Sequence, residues 1–464
     1  MAQRPTPRAP SLDSVTTINT DGSRLFIHPA DVSGWFTLAR RIAGVALIAF
    51  YAVLPWIQIN GNPAAFFDVA HRQFHLVGLT FAPQDLWLVF FLITGLGFSL
   101  FLVTALLGRV WCGWACPQTV FLDHVFRRIE RWIDGDAVAR RALEAAPWTP
   151  GKAVRRVLKH TLYLALSLAI AHVFLSYFVS LPGLYQMARQ SPLQHWEPFL
   201  FVMVLSGLLY FNFAWFREQF CIVLCPYGRL QSALTDENSV VIGYDHQRGE
   251  PRGKASDPAS GDCIDCRRCI QVCPTGIDIR QGLQLECIAC SNCIDACDAI
   301  MTKLDRPKGL VRYASFNTFA GKSSRMLRPR ILVYAALLAL GTVAFAVALT
   351  RVRPYTASVL RMPGAPFYED ATAVRNQFMV RILKKRTHPV AFTLTASADA
   401  LPSLVAAGIE APFEVPALGE IQRPLIVTVP RADWRGQTAL QVRLLPQGGR
   451  RPELRVLPLL GPDR

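Results

Sequence analysis

Five long apolar stretches constrain this 464-residue chain more than any other feature of its sequence. None of them contains Asp, Glu, Lys or Arg, and each approaches the ~20 residues that a helix needs to cross a bilayer core. They cover residues 42–59, 86–108, 161–181, 198–216 and 331–350. Because 52% of the residues are hydrophobic and 18% are charged, intrinsic disorder, collagen and a small disulfide-rich scaffold are disfavoured for the whole chain. We therefore predict a mainly α-helical membrane protein with five transmembrane helices.

Lysine and arginine counts between these stretches predict their orientation. Lysine and arginine together number five in residues 1–41, ten in 109–160 and sixteen in 217–330. There is one such residue in each of the segments 60–85 and 182–197. Because basic loops stay in the cytoplasm, the N-terminus and both basic segments are expected there. Five crossings place the tail outside, and its own sixteen basic residues are tolerated because long translocated domains largely escape the rule. The net charge of +16 is thus a topology signal, and without a zinc-finger or RNP-like pattern we predict no nucleic-acid partner.

All twelve cysteines lie in segments predicted to be cytoplasmic, where thiols stay reduced and free to bind metal. Eight of them form two runs with the spacing CxxCxxCxxxC, in which each run supplies three thiolates to one 4Fe-4S cluster and its fourth to the other. The first predicted cluster takes Cys263, Cys266, Cys269 and Cys297, and the second takes Cys287, Cys290, Cys293 and Cys273. Zinc or disulfides are the alternative, but a zinc site uses four ligands in paired spacing rather than eight in a double pattern.

The segments around the two runs predict how this part of the chain is organised. Residues 245–261 are rich in Gly, Pro and charge, and they are expected to be a linker that frees a ferredoxin-like insert from the fourth span. Only thirteen residues separate the two runs, which is short for a hairpin, so a helix over 278–286 is expected between them.

The remaining four cysteines form two CxxxCP motifs, WCGWACP after the second span and FCIVLCP after the fourth. On a helix, positions i and i+4 share a face, so Cys112 and Cys116 present two sulfurs together, as do Cys221 and Cys225. The proline that follows breaks or restarts each helix. The motifs are offset by 109 residues and each follows a two-span hairpin, which indicates a repeat whose thiols converge at one membrane face. Such thiols could bind Cu(I), cycle as a disulfide, or simply be small buried apolar side chains.

The tail changes character from residue 376 onward. Short runs of alternating apolar and polar residues, separated by Pro and Gly, predict strands. They cover 378–383, 390–396, 424–429, 439–445 and 454–459. About ninety residues of this kind predict a small β-sandwich with a docking or bracing role. No GxGxxG, Walker, GxSxG or CxxCH motif is present in the sequence, so electrons are expected to come from a partner.

Two features near the spans are interpreted as structural. Residues 119–133 place apolar side chains on one helical face and Arg127, Arg128 and Arg131 on the other, which predicts a basic amphipathic helix on the anionic inner leaflet. His172, in the third span, is expected to be a neutral histidine bonded to Ser176 or another hydroxyl rather than a haem ligand.

Several segments together resemble one known family. They are PWIQINGNPAAFFD, RQFHLVGLTFAPQDLW, GRVWCGWACPQTVF, CPTGIDIRQGLQLECIACSNCIDACD and KGLVRYAS. From about Trp35 to the β-rich tail, the chain is similar to the CcoG family, also called FixG or RdxA, of accessory proteins for cbb3-type cytochrome c oxidase. The resemblance implies an inner-membrane iron-sulfur protein with five spans and a periplasmic immunoglobulin-like C-terminal domain, which reduces Cu(II) to Cu(I) for supply to that oxidase. The cluster cysteines and the CxxxCP cysteines match the family's functional positions.

We therefore expect a cytoplasmic segment (1–41), a four-span membrane domain (42–216), a cytoplasmic two-cluster domain (217–330), a fifth span (331–350) and a periplasmic domain (351–464). The expected activity is cupric reduction, with catalytic and copper-binding roles for the four CxxxCP cysteines. Expected partners are membrane lipid, an unidentified electron donor, and copper transport and cbb3-type oxidase assembly factors, with homo-oligomerisation left open. Two alternatives remain: a quinol- or ferredoxin-linked electron relay resembling the NapH and NosR polyferredoxins, and a non-redox assembly scaffold.

Overall fold

The computed structural model describes residues 17–18, 24–69, 73–81, 85, 87–350, 355–384, 389–409, 412–416, 419–447 and 453–462, apart from the side chains at 229 and 232. It divides into two compact units. One unit comprises Met1–Ile57 and Val89–Ala346, and the other comprises Gln58–Leu88 and Val347–Arg464. The expected segments 1–41 and 351–464 therefore lie partly outside the described residues.

Five described helices are long and apolar enough to cross a membrane, which confirms the predicted number. They are Trp35–Trp56, Trp87–Leu107, Pro150–Leu175, Trp196–Phe216 and Pro329–Thr350. The first helix begins earlier than the apolar stretch at residue 42, and it carries Arg40 and Arg41 in its first turns. Hydropathy located the apolar part of this helix, but it did not locate the helix start.

The third of these helices is displaced toward the N-terminus relative to its prediction. It begins at Pro150, where the Thr149 hydroxyl accepts a hydrogen bond from the Lys152 amide (3.2 Å). It ends at Leu175 rather than at residue 181, because the chain turns and Ser180 caps a separate helix. A capping residue therefore marks the start of this helix, and a turn before the next helix marks its end.

Helices are labelled in chain order. Within the described residues, the α-helices are α1 Trp35–Val53, α2 Trp87–Leu107, α3 Val110–Trp114, α4 Pro117–Phe121, α5 Arg127–Ile133, α6 Ala137–Ala145, α7 Pro150–Leu175, α8 Leu181–Arg189, α9 Trp196–Phe211, α10 Pro226–Leu234, α11 His246–Gly249, α12 Arg268–Gln271, α13 Asn292–Lys303, α14 Phe316–Phe319 and α15 Pro329–Thr350. Leu54–Trp56 and Ile279–Gln281 are 3₁₀ turns, and Leu122–Phe126, Asn212–Phe216 and Phe220–Leu224 are π-helical.

The strands are labelled in the same way. They are β1 Gln58–Ile59, β2 Asn62–Pro63, β3 Ala65–Asp68, β4 Gln73–Leu76, β5 Leu79–Phe81, β6 Val241–Tyr244, β7 Val311–Ala314, β8 Tyr355–Arg361, β9 Tyr368–Glu369, β10 Ala373–Lys384, β11 Val390–Ser397, β12 Val405–Ala407, β13 Phe413–Val415, β14 Glu420–Pro430, β15 Thr438–Pro446 and β16 Glu453–Leu459. Strands β1 and β2 form one small sheet, and β3, β4 and β5 form another, in a region where no strand was predicted.

The cysteine-rich insert is closed by its own two-stranded sheet. Strands β6 and β7 are antiparallel, with Val241 opposite Ala314 and Tyr244 opposite Val311. Buried apolar side chains pack behind this sheet and around the cysteines; they include Ile242, Ile277, Ile294, Met301 and Leu310. Residues on both sides of the cysteine runs are thus held in one folded body.

The expected helix over 278–286 was wrong, because one 3₁₀ turn, Ile279–Gln281, stands in its place. Gly282 ends the turn with φ of 95°, a left-handed conformation that costs glycine little. Arg280 forms ion pairs with Asp278 (2.8 Å) and with Asp265. Side-chain pairing and a glycine therefore overrode the local helical preference.

The expected linker over 245–261 was also wrong, because this segment packs against the insert. The Gly253 amide donates to the Cys263 carbonyl (3.2 Å), and the Asp262 amide donates to the Arg248 carbonyl (3.0 Å). Gly261 lies so close to Gly249 that a Cβ on it would be 2.7 Å from the Gly249 carbonyl carbon. Glycine and proline in this segment permit tight backbone contacts and do not make the segment a flexible linker.

The stretch predicted as one amphipathic helix consists of α4, a π-helical turn and α5. Leu122, Phe126 and Ile129 are buried in a core with side chains of α7 and the fourth span, whereas Trp132 is 79% exposed. A π-helical turn holds an extra residue, which rotates the following helix by about 100° relative to the pattern assumed from sequence. Arg127 is also buried, so the basic face is not a free lipid-facing surface.

His172 bonds within its own helix. Its Nδ1 lies 2.7 Å from the Leu168 carbonyl oxygen, while the Ser176 hydroxyl donates to the Val173 carbonyl (2.6 Å). The expectation of a structural histidine agrees with this geometry, but the expected partner Ser176 was wrong because each side chain reaches a carbonyl one turn back.

The C-terminal residues form two antiparallel sheets, in the orders β12-β14-β10-β8, with β9 also on β10, and β13-β11-β15-β16. Phe378 and Leu425 are opposite each other in β10 and β14, and both are buried. Phe392, Val442 and Trp434 belong to the same core. The five predicted runs fall in β10, β11, β14, β15 and β16. The described strands that were missed here are β8, which lies before the predicted β-rich region, and β9, β12 and β13, which are too short to show alternation.

Candidate metal centres

The first set of cluster cysteines meets at one cavity. Cys263, Cys266 and Cys269 come from the first run, and Cys297 comes from α13 in the second run; all four line it. Arg280, which is 5% exposed, lines the same cavity. Cysteines of both runs therefore line one cavity.

The second set meets at an adjacent cavity. Its lining includes Cys273 from the first run and Cys287, Cys290 and Cys293 from the second. Cys269 lines both cavities, so the two sites lie side by side. That proximity suits the passage of an electron from one site to the other.

The residues present fit 4Fe-4S clusters. Soft thiol ligands converge in apolar surroundings, and all twelve cysteines are free of disulfides. Burial raises the pKa of Cys290 to about 12 and that of Cys287 to about 11. Cysteine binds metal as the thiolate. Among the described residues, no three His, Cys, Asp or Glu side chains are preassembled around a single metal ion.

The first CxxxCP motif does not lie on one continuous helix. Cys112 is in α3, which ends at Trp114, and Cys116 has an extended backbone before Pro117 starts α4. The Cys116 amide donates to the Trp111 carbonyl, five residues back, at 2.9 Å. The proline therefore restarts the helix and leaves Cys116 at its N-terminus. The premise of a shared i, i+4 helical face was wrong.

The second motif repeats this backbone arrangement. Cys221 is in the π-helical turn Phe220–Leu224, and Cys225 precedes Pro226 at the start of α10. The Cys225 amide donates to the Phe220 carbonyl, also five residues back, at 2.9 Å. The apolar helices Trp87–Leu107 and Trp196–Phe216 have the same length of 21 residues and the same offset of 109. These matched features support the repeat inferred from sequence.

The two motifs lie close together. Burial, followed by the neighbouring Cys116 and Cys112 thiols, raises the pKa of Cys221 well above its usual range. Burial also raises the pKa of Cys112 to about 11, although the Gln231 side-chain amide donates to its sulfur at 3.3 Å. For Cys116, burial raises the pKa even though two backbone amides of α4 favour the thiolate. The four thiols are thus half-buried and close enough to interact with one another.

The first motif is in direct contact with the second cluster site. A Cβ on Gly113 would lie 2.5 Å from the Ile288 carbonyl oxygen and 2.9 Å from the Ala289 carbonyl carbon. Glycine therefore lets α3 rest on the backbone between Cys287 and Cys290. The Trp114 indole nitrogen donates to the Tyr313 hydroxyl at 3.3 Å on the same side.

Arg109 links this contact to the second motif. Its guanidinium donates to the Leu285 carbonyl beside the second cluster site and to the Gly228 carbonyl in α10 (2.5 Å). In the sequence, Arg109 stands out only as a basic residue beside a span. Its position three residues before Cys112 was the one signal that could have suggested a role at the thiol site. That signal could not identify Gly228 and Leu285, which are about 120 and 175 residues away in the chain, as its partners.

Family models match three regions of the chain. A 4Fe-4S dicluster domain matches residues 216–316, a 4Fe-4S binding domain matches 86–135, and the IG-like fold at the C-terminus of FixG matches 345–455. The second of these models covers the first CxxxCP motif. From the sequence we expected copper at this motif and did not consider iron. Iron-sulfur chemistry is therefore supported in two parts of the chain.

Three curated relatives are similar over long stretches. RdxA of Cereibacter sphaeroides is 34% identical over 445 residues, covering 91% of this chain and 94% of RdxA. RdxB of the same organism is 36% identical, covering 83% and 86% of the two chains. FixG of Rhizobium meliloti is 38% identical over 307 residues, covering 63% of this chain and 58% of FixG.

Apolar helices, paired cysteine sites and 4Fe-4S family models together define a membrane iron-sulfur electron-transfer protein. The long relationship to RdxA and RdxB and the FixG C-terminal domain specify it further. The chain belongs to the FixG/RdxA family, which is the family that the sequence motifs predicted.

Proposed function

We propose that this protein takes electrons from a reduced cytoplasmic carrier and uses them to reduce Cu(II) to Cu(I) at the four CxxxCP thiols. The observation that carries the proposal is the close approach of Gly113 to Ile288 and Ala289. It puts the first CxxxCP motif against the loop of the second cluster site. When bound, the clusters would supply one-electron reduction there.

The thiols suit the product of this reaction better than its substrate. Each turnover transfers one electron to one Cu(II) ion, and the soft sulfur ligands favour the resulting Cu(I). A site that stabilises Cu(I) raises the potential of the copper couple and makes the reduction more favourable. Cys116 and Cys225, at the starts of α4 and α10, would then hold copper beside helix N-termini.

The same proposal includes the orientation and the wider role expected from sequence. The N-terminus and both cluster sites would face the cytoplasm, and the C-terminal immunoglobulin-like domain would face the periplasm of a bacterial inner membrane. The Cu(I) would be passed to copper transport and assembly factors for cbb3-type cytochrome c oxidase. The five expected domains and the cluster ligand sets belong to this proposal.

Anaerobic copper titration tests the proposal. The full-length protein is reduced with dithionite, freed of excess reductant and mixed with Cu(II), while cluster absorbance and Cu(I) formation are followed. One Cu(I) should form for each electron lost. Cys112→Ser/Cys116→Ser should keep the cluster spectra and lose most of the copper-dependent oxidation. Unchanged copper reduction by this variant would exclude these thiols as the copper site. Absence of copper-dependent cluster oxidation in wild type would favour the scaffold alternative.

A second candidate places iron at the CxxxCP thiols, as in a membrane electron relay. The match of a 4Fe-4S binding domain to residues 86–135 favours it. Iron analysis separates the candidates, because two clusters require about eight irons per chain and a third would bring the total to about twelve. About twelve irons, falling to about eight in the Cys112→Ser/Cys116→Ser variant, would support the relay.

A further inference from the structure

A cavity of about 340 Å³ in the cluster-containing unit is lined by arginine side chains. They are Arg40, Arg41, Arg127, Arg128, Arg131 and Arg140. Two aspartates, Asp31 and Asp123, also line it, so the wall carries a formal excess of four positive charges. A cavity of this size holds about ten water molecules at liquid density, which is enough room for a small polar group.

Carboxylates neutralise only part of this charge. Asp123 pairs with Arg40 and with Arg127 (2.6 Å), and Asp31 pairs with Arg131 (2.7 Å). Behind the wall, Glu130 lies 3.6 Å from Arg140 and Glu218 lies 3.1 Å from Arg127.

Arg41 and Arg128 remain without a carboxylate partner among the residues that the structure describes, although both line the cavity. Burial, followed by the Arg41 charge, lowers the pKa of Arg128. Two like charges therefore face one space, and the carboxylates of Asp31 and Asp123 in the same wall form ion pairs with other arginines.

Buried hydrogen-bond donors in the same wall also lack partners. Arg127 and Arg140 are 7% and 5% exposed, and the Nε atom of each has no hydrogen-bond partner within the described part of the chain. Unsatisfied buried donors are costly, and in folded proteins a bound ion or an ordered water often accepts their hydrogen bonds. The residues of this wall therefore include buried guanidinium donors that the described protein acceptors leave unsatisfied.

We propose that this arginine cavity binds a phosphate-bearing anion. Guanidinium groups match phosphate oxygens with paired N–H donors, and several of them converge here. The site lies outside the cysteine cavities, and its occupation does not depend on which metal the CxxxCP thiols bind.

The position of the cavity favours an anionic phospholipid headgroup as the source of the phosphate. Arg40 and Arg41 lie in the first turns of an apolar helix, directly before its uncharged stretch begins at residue 42. That is the level at which lipid phosphates meet a transmembrane helix. A soluble phosphate compound would use the same donors, so the experiment includes both sources.

Lipid retention by the full-length protein tests the proposal. Wild type and Arg41→Gln/Arg128→Gln are purified in detergent micelles supplemented with phosphatidylglycerol and phosphatidylcholine and examined by native mass spectrometry. The matched control is Arg141→Gln/Arg155→Gln, which removes two exposed arginines that do not line the cavity. Arg128→Lys keeps the charge, and cluster absorbance checks folding. A second arm measures inorganic pyrophosphate binding by calorimetry in phosphatidylcholine nanodiscs.

Wild type and the control should retain phosphatidylglycerol at least about tenfold better than Arg41→Gln/Arg128→Gln, with Arg128→Lys between them. A soluble phosphate compound would be supported as the source if wild type binds pyrophosphate, the double variant does not, and wild type shows no selective lipid retention. The proposal would be overturned if the cavity variant binds lipid as well as the surface control does and also binds pyrophosphate as well. It would also be overturned if wild type binds neither lipid selectively nor pyrophosphate. If the double variant loses its cluster absorbance, Arg128→Lys is compared with wild type, and equal binding then counts against the proposal.

Discussion

Gln118 and Asn212 exchange two side-chain hydrogen bonds: the Gln118 amide donates to Asn212 Oδ1 at 3.3 Å, and the Asn212 amide donates to Gln118 Oε1 at 2.7 Å. Gln118 follows the first CxxxCP motif, and Asn212 precedes the second. The Gln118 amide also donates to the Arg217 carbonyl at 3.0 Å. These bonds hold the two halves of the repeat together where their thiols meet.

Breaking this amide pair should loosen the thiol site. Gln118→Leu keeps the approximate side-chain size but leaves Asn212 unsatisfied, at an expected cost of about 1–3 kcal/mol in unfolding free energy. Copper-dependent oxidation of the reduced protein should slow while the cluster spectra persist. Thermal unfolding and stopped-flow absorbance measure the two effects. In a double-mutant cycle with Asn212→Leu, strictly additive stability losses would show that the pair is not coupled.

Gly113→Ala should disturb the contact between the first CxxxCP motif and the second cluster site. The added Cβ would meet the Ile288 carbonyl oxygen at 2.5 Å, so α3 or the cluster loop must shift, at a cost of about 1–3 kcal/mol. Electron transfer to copper should slow. Gly207→Ala in α9 is the control, because its Cβ would meet nothing within 4 Å. Equal rates in the two variants would show that this contact does not serve electron transfer.

Arg109→Lys should weaken the link between the cluster loop and α10. Lysine keeps the charge but cannot reach both the Leu285 and Gly228 carbonyls with the planar, forked guanidinium geometry. Hydrogen exchange in the loop preceding Cys287 should become faster, corresponding to a local loss of about 1–3 kcal/mol. Unchanged exchange in that loop would mean that other contacts hold it.

Cys266→Ser should remove one cluster and spare the other. Cys266 is exposed and lines the first cysteine cavity but not the second. Iron content should fall from about eight to about four per chain under the two-cluster assignment. The electron paramagnetic resonance spectrum of the reduced protein should then lose the signature of two interacting clusters. Retention of the full iron content would contradict the assignment of Cys266.

Expectations from sequence succeeded where the determining interactions are local or set by spacing. The number of long apolar helices was predicted from local composition. The cysteines of each predicted ligand set line one cavity, Cys269 lines both, and the ligand assignment stays a prediction. Alternation predicted five strands, since a strand such as β10, with 12 residues, is long enough to show it. Strands of two or three residues, such as β9 and β12, contain too little pattern.

Expectations failed where specific side-chain contacts or an irregular backbone overrode the periodic pattern. The segment 278–286 lost its helix to the Arg280 ion pairs and to Gly282. Glycines in the segment 245–261 allow close backbone packing, whereas the sequence had predicted a flexible linker. The π-helical turn at Leu122–Phe126 changed which side of the following helix is buried. The apolar periodicity of a sequence assumes a regular helix. It therefore cannot predict a turn that contains an extra residue.

The amino-acid sequence by itself determined the five apolar helices, the grouping of eight cysteines and the repeated CxxxCP motifs, because each depends on composition or on intervals along the chain. Only the tertiary structure decided that Gly113 rests on the loop of the second cluster site and that Arg41 and Arg128 face one cavity. Such contacts join residues that are far apart in the chain. Their formation depends on how whole helices pack, and no local pattern encodes that packing.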